Sequence, residues 1–132
     1  MRAAIDWSHM SAISEHGNLI IASLRNINTV VAFWRENDPN APGIAWVLSS
    51  SLGITSSFNF TNDNDKFYNV HDAQMVSDHE IVLIDDGNNR PGCRTNFDDH
   101  CYTRAVKYHL DFETMEVGLV MTCRIRIAPL NH

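Results

Sequence analysis

Apolar and β-branched residues fall in short runs along the chain, separated by turn-forming residues. Residues 19–22, 30–34 and 44–48 make three runs in the first half, and 81–84, 104–110 and 115–123 make three in the second. Each is of strand length, and none continues at the 3.6-residue period of a helix. Turn residues punctuate them: Glu15-His16-Gly17-Asn18 before the first run, Asn26 to Asn28 before the second, and a loop over 37–43 carrying Pro39 and Pro42. The pattern predicts an all-β protein.

The runs also repeat. Setting His9 on His71, an offset of 62, lays Leu19-Ile20-Ile21-Ala22 on Ile81-Val82-Leu83-Ile84, with turns of equal length before them. The third runs, Val30-Val31-Ala32-Phe33 and Ala105-Val106-Lys107-Tyr108, match at an offset of 75, which leaves 13 extra residues in the second unit between Asp86 and Thr103. Four-stranded units of about 40–45 residues are the blades of β-propellers. The expectation is a partial β-propeller, a single domain over 1–132 with two four-stranded antiparallel blades at about 6–48 and 69–124. The stretch over 49–69 reads as the connection between them. The first strand of each blade lines the central channel, so His9 and His71 are expected at equivalent positions, facing one cleft.

Composition narrows the function. A hydrophobic fraction of 44% over 132 residues suits one globular core. Ten Lys and Arg against sixteen Asp and Glu leave a net charge of −6, which argues against a nucleic-acid groove. No run approaches the roughly 20 apolar residues of a membrane-spanning helix, and no signal-peptide core is visible after Arg2. Cys93 and Cys101 share the inserted loop and could close a short disulfide in an oxidising compartment. Cys123 sits in an apolar run and is expected to be a buried small hydrophobe. None has the C-x-x-C spacing of zinc or thioredoxin chemistry.

Five words occur in order: Asp6-Trp7-Ser8-His9, Ser23-Leu24-Arg25, His71-Asp72-Ala73, Asp85-Asp86-Gly87-Asn88 and Thr103-Arg104-Ala105-Val106-Lys107-Tyr108. Together they resemble the arylsulfotransferase family of six-bladed β-propellers, whose pattern runs D-W-x-H, S-x-R, Q-H-D-A, F-D-N-G, then S-R-A with an aromatic. The resemblance implies an arylsulfate sulfotransferase that passes a sulfuryl group from a phenolic sulfate ester to a histidine, then to a phenolic acceptor. Matched residue by residue, His71 is the sulfated histidine, and His9 and Arg25 hold the sulfate oxygens. Ser11, where the family has Asn, is a further substrate contact. Val70 replaces the family's Gln, and Asp86 its second Asn. A further active-site His of the family belongs to an earlier blade, so the chain reads as a fragment.

The same resemblance implies no cofactor and no nucleotide donor. The partners it implies are a small-molecule aryl sulfate and a phenol, with no nucleic acid and no membrane, in a periplasmic or secreted setting. Two open blade flanks make a homo-oligomer a further expectation.

The chemistry suits these residue types. A neutral imidazole is a competent nucleophile near neutrality, since its unperturbed pKa is about 6.5. Arg presents a planar fork of donors to sulfate oxygens. A second, protonated His can protonate the leaving phenolate, an effect of about 10²–10⁴-fold. Asp72 follows His71 directly and, in a strand, points to the other face, so it reads as structural. Phe58, Phe60, Phe67 and Tyr68 line the connection, where burial is favoured over an aromatic wall for substrate. His16, His79, His100, His109 and His132 have no motif support and read as surface. The rival function is a non-catalytic propeller binding or scaffold module. A metal site from His9, His71 and Asp72 lacks tight ligand spacing.

Overall fold

Each apolar run of the sequence forms a strand, and burial alternates along it most cleanly over Glu80–Asp85 and Thr103–Asp111. The computed structural model describes residues 8–93 and 101–125. In chain order the strands are β1 (Met10–His16), β2 (Leu19–Leu24), β3 (Thr29–Trp34), β4 (Ile44–Ser49), β5 (Asn59–Phe60), β6 (Val70–Met75), β7 (Glu80–Asp85), β8 (Thr103–Asp111) and β9 (Glu116–Ile125). Two short 3₁₀ turns, Arg25–Ile27 and Asp63–Asp65, complete the regular structure among the described residues. The protein is all-β, as the pattern predicts.

The first sheet is an antiparallel meander in the order β1-β2-β3-β4. The second has five strands in the order β5-β9-β8-β7-β6, with β5 pairing parallel to β9 and the rest antiparallel. The expected four-stranded second unit therefore gains a strand from the connecting segment. Among the described residues neither sheet closes on itself.

The pairing register corrects the repeat. In the first sheet Ser23 pairs with Val30 and Leu24 with Met10; in the second, Ile84 pairs with Ala105 and Asp85 with Val70. With Val30 set on Ala105, Ser23 falls on Ile84, Leu24 on Asp85 and Met10 on Val70. His9 thus corresponds to Asn69 and Arg25 to Asp86, while His71 pairs as Ala12 does and Ser11 is the extra residue of the irregular register in β1. Two local features agree. His9 and Asn69 both have left-handed backbone, with φ of 47° and 54°. The bond from Asn26 N to the Ser8 carbonyl has its counterpart from Gly87 N to the Tyr68 carbonyl. His9 and His71 are not equivalent positions. The slip arises because the turns differ: Gly17 and Asn18 join β1 to β2, whereas four residues, 76–79, join β6 to β7. Short runs of Ile, Val and Leu match at neighbouring offsets, and a one-residue slip exchanges the faces of a strand.

One core joins the two sheets. Ile21, Val30, Ala32, Trp46 and Leu48 come from the first, and Leu83, Val106, Tyr108, Leu110 and Val117 from the second. Phe58 and Phe67 of the connection are 1% and 0% exposed and belong to the same core. Each packs edge-on or tilted against a core aromatic, Phe58 on Trp46 and Phe67 on Tyr108. Full burial of such a ring stabilises by about 1.5–3 kcal/mol, so these two rings are structural and form no substrate wall.

Hydrogen bonds across the seam fasten β6 to the first sheet. Ser11 Oγ donates to the Val70 carbonyl at 2.9 Å, and Ser14 Oγ to the Ala73 carbonyl at 2.7 Å. Ala73 N donates to Ser23 Oγ at 2.9 Å, and Asn69 N to Asn28 Oδ1 at 2.8 Å. On its other side β6 is held by Asp85, which is fully buried. Asp85 Oδ2 accepts from Arg90 Nη2 at 2.7 Å and Arg104 Nε at 2.8 Å, and Oδ1 accepts from Tyr68 N at 2.9 Å. A buried carboxylate requires such pairing. Gly87, at φ +77°, turns the chain out of β7 where an added Cβ would lie 2.1 Å from the Tyr102 carbonyl oxygen. Only glycine fits there.

Cys93 and Cys101 are joined in a disulfide, with Cα atoms 4.9 Å apart. Cys123 departs from its expected burial. It is exposed on β9, on the same face as the exposed Met121 and Ile125, because no other described element covers that face.

Candidate functional site

Three side chains from three segments meet at one end of the seam. Arg25 opens the 3₁₀ turn after β2, where its N–H donates to the His9 carbonyl at 2.9 Å. Asn28 closes that turn at φ 51°, a left-handed conformation that Asn tolerates, donating its N–H to the Arg25 carbonyl. His71 sits in β6 at the start of an irregular register between His71 and Gln74. Asp86 leaves the end of β7.

Arg25 Nε donates to His71 Nε2 at 3.3 Å. Arg25 Nη2 lies 3.5 Å from Asp86 Oδ2, and His71 Nε2 lies 3.6 Å from the same oxygen. Arg25 Nη1 donates to Asn26 Oδ1 at 3.0 Å. The side chains of His71, Arg25 and Asp86 are 36%, 27% and 24% exposed, so a small molecule can reach them. A guanidinium has donors only, so Nε2 is the acceptor in this contact. The Nε2 lone pair, the one that can form a bond, points at Arg25.

The structure brings His71 and Arg25 into contact. His9 is exposed, and its carbonyl anchors the Arg25 turn. Ser11 directs its hydroxyl proton to the Val70 carbonyl, so its resolved role is at the seam. Asp72 is exposed, accepts from Gln74 Nε2 at 2.9 Å and has left-handed backbone at φ 52°, so the regular strand alternation expected there does not hold. His16 pairs with Asp78 at 2.9 Å, away from the site. Asp6, Trp7, His100 and His132 lie outside the described residues. The member that sequence reasoning missed is Asp86. In the sequence it is only the replacement of the Asn in the family's F-D-N-G word, and its correspondence to Arg25 emerges from the register.

Two hollows open at the same end of the sheets. One, of about 340 Å³, is lined by Asp63, Asn64, Tyr68, Arg90, Pro91 and Tyr102. The other, of about 550 Å³, shares Tyr68 and Pro91 and adds Asn28, Ser50 and Lys66. Burial pushes the Tyr68 phenol above its ordinary range, with Lys66 and Arg90 opposing, so the hydroxyl stays protonated and able to donate at neutral pH. Arg90 lies over the Tyr102 ring at 4.0 Å.

An imidazole lone pair beside a guanidinium fork is equipment for transferring an anionic group. A family model described as Arylsulfotransferase (ASST) matches residues 1–124. The match takes in most of the 132 residues, and the chain belongs to the arylsulfotransferase family. Membership supports a sulfotransferase-type function and enzymatic potential. No functionally curated protein matches the chain in sequence.

Proposed function

We propose that the chain carries the nucleophilic half-site of an arylsulfate sulfotransferase, and that its two sheets are adjacent blades of a partial β-propeller. The observation that carries this reading is the contact of Arg25 Nε with His71 Nε2, between residues far apart in sequence. In the first step His71 Nε2 attacks the sulfur of a phenolic sulfate ester. The S–N bond forms as the S–O(aryl) bond breaks, and the phenolate leaves with the bonding pair and takes a proton from solvent or from His9. In the second step a phenolic acceptor gives its proton to solvent or back to His9 and attacks the same sulfur, and the S–N bond breaks with its pair returning to His71 Nε2. Arg25 turns its fork onto the sulfuryl oxygens, where charge concentrates. Ser11 and His9 border this space through the Val70 and Arg25 backbones that they hold.

A binding or scaffold module is the second reading. It draws on Asp86, whose negative charge stands where a sulfate must arrive. A transfer assay from p-nitrophenyl sulfate to phenol separates the two. Release of p-nitrophenol that depends on phenol and is lost in His71→Ala supports transfer. Absence of phenol-dependent release in the intact protein supports the scaffold.

A further inference from the structure

Asp86 takes no part in the transfer chemistry, yet its carboxylate is deliberately aimed. Asn88 Nδ2 donates to Oδ2 at 2.9 Å. Thr103 Oγ1 lies 3.3 Å from Oδ1 and donates to the Asp86 carbonyl at 3.0 Å. These contacts hold Oδ2 3.5 Å from Arg25 Nη2 and 3.6 Å from His71 Nε2. Arg25 in turn covers the His71 lone pair. A sulfate ester is itself an anion, so it must take the guanidinium donors that Asp86 faces and reach the nitrogen that Arg25 covers.

We infer that Asp86 is a built-in counter-ion that holds Arg25 over His71 and is displaced from Arg25 by an arriving substrate. The inference rests on the proposed transfer and adds a selectivity. Coulomb repulsion from Asp86 scales with the charge of the arriving anion. An aryl sulfate carries one negative charge and inorganic sulfate two. Asp86 therefore discriminates against the dianion and leaves the aryl group to supply binding, favouring monoanionic sulfate monoesters. It acts through Arg25 and is a positioning residue.

The test is titration of the full 132-residue chain, wild type and Asp86→Asn, with p-nitrophenyl sulfate and with sodium sulfate, followed by the ¹⁵N signals of the His71 imidazole. In the free wild-type protein the neutral ring should show Nε2 unprotonated. Asp86→Asn should bind the ester roughly fivefold more tightly, and sulfate by roughly the square of that factor. A purely structural role for Asp86 gives the opposite sign, because a loosened loop weakens both. Thr103→Val keeps the charge and releases its aim, so it should show the same ordering with smaller gains, which covers a failure of Asp86→Asn to fold. Equal or weaker anion binding in both variants, or equal gains for the two anions, overturns the inference. A sulfuryl adduct on His71 without these gains leaves the transfer reading standing and removes the counter-ion. The gains without an adduct do the reverse.

Discussion

Arg25 and Asp86 occupy corresponding positions at the ends of β2 and β7, and their side chains meet 3.5 Å apart across the seam. One architectural corner, used twice, thus carries a cation in the first sheet and an anion in the second. His71, held by β6 between them, has its Nε2 3.3 Å from the first and 3.6 Å from the second.

Removing the cation should slow transfer without moving it. Arg25→Ala lacks the fork that stabilises the charged oxygens, an effect of about 10²–10³-fold on kcat where a single donor of this kind is lost. Arg25→Lys should restore only a small part, since a point charge does not reproduce a planar pair of donors. Steady-state kinetics of an active form read both, and a sulfuryl adduct should remain on the same histidine in each variant.

Asp85 should matter to stability far more than to chemistry. Its one carboxylate serves Arg90, Arg104 and the Tyr68 amide while fully buried. Asp85→Ala leaves two guanidinium groups without a counter-charge, and breaking a buried pair in this way costs about 3–5 kcal/mol. Urea denaturation should show the loss as a lower midpoint with an unchanged slope.

The strands were legible in the sequence because apolar runs of strand length stand between turn-forming residues. The register was not. Val82, Leu83 and Ile84 are interchangeable in a hydrophobic pattern, and the irregular pairings between Met10 and Ala12 and between His71 and Gln74 shift the count inside strands that look continuous. His71 and Arg25 were singled out through words shared with a family, and the fold brings them together from distant segments. Asp86 was hidden because its role depends on which residue it faces across the seam. The disulfide was readable, since both cysteines lie in one loop, whereas Cys123 was misjudged because an apolar run says nothing of which face a neighbour covers.

Stability should fall at alkaline pH. Burial raises the Tyr108 phenol above the ordinary tyrosine range, with Arg104 opposing, and its hydroxyl donates to the Asp65 carbonyl. A group whose folded pKa exceeds the unfolded value of about 10 contributes stability that is complete below that pH and is lost above it. Tyr68 shifts the same way, also by burial. Thermal melts should therefore be flat from this source up to about pH 10 and decline beyond it. Tyr108→Phe should cost about 1 kcal/mol near neutrality and show a shallower alkaline decline.

Self-association should follow from the uncovered face of β9. Met121 is 60% exposed and Ile125 49% exposed there, beside the exposed Cys123. Apolar surface of this kind invites burial against another chain. Light scattering under reducing conditions should give a mass above that of a monomer, rising with concentration, and Met121→Lys should lower it. A monomer at every concentration would contradict the expectation.

The central claim is that His71 Nε2 forms the bond to sulfur, and peptide mapping by mass spectrometry tests it most directly. The protein is exposed to p-nitrophenyl sulfate without a phenolic acceptor, quenched without acid, digested and sequenced. The account predicts a sulfuryl group on His71, discharged on later addition of phenol, absent in His71→Ala and retained in Arg25→Ala. An adduct on His9 instead, or phenol-dependent turnover that persists in His71→Ala, would contradict it.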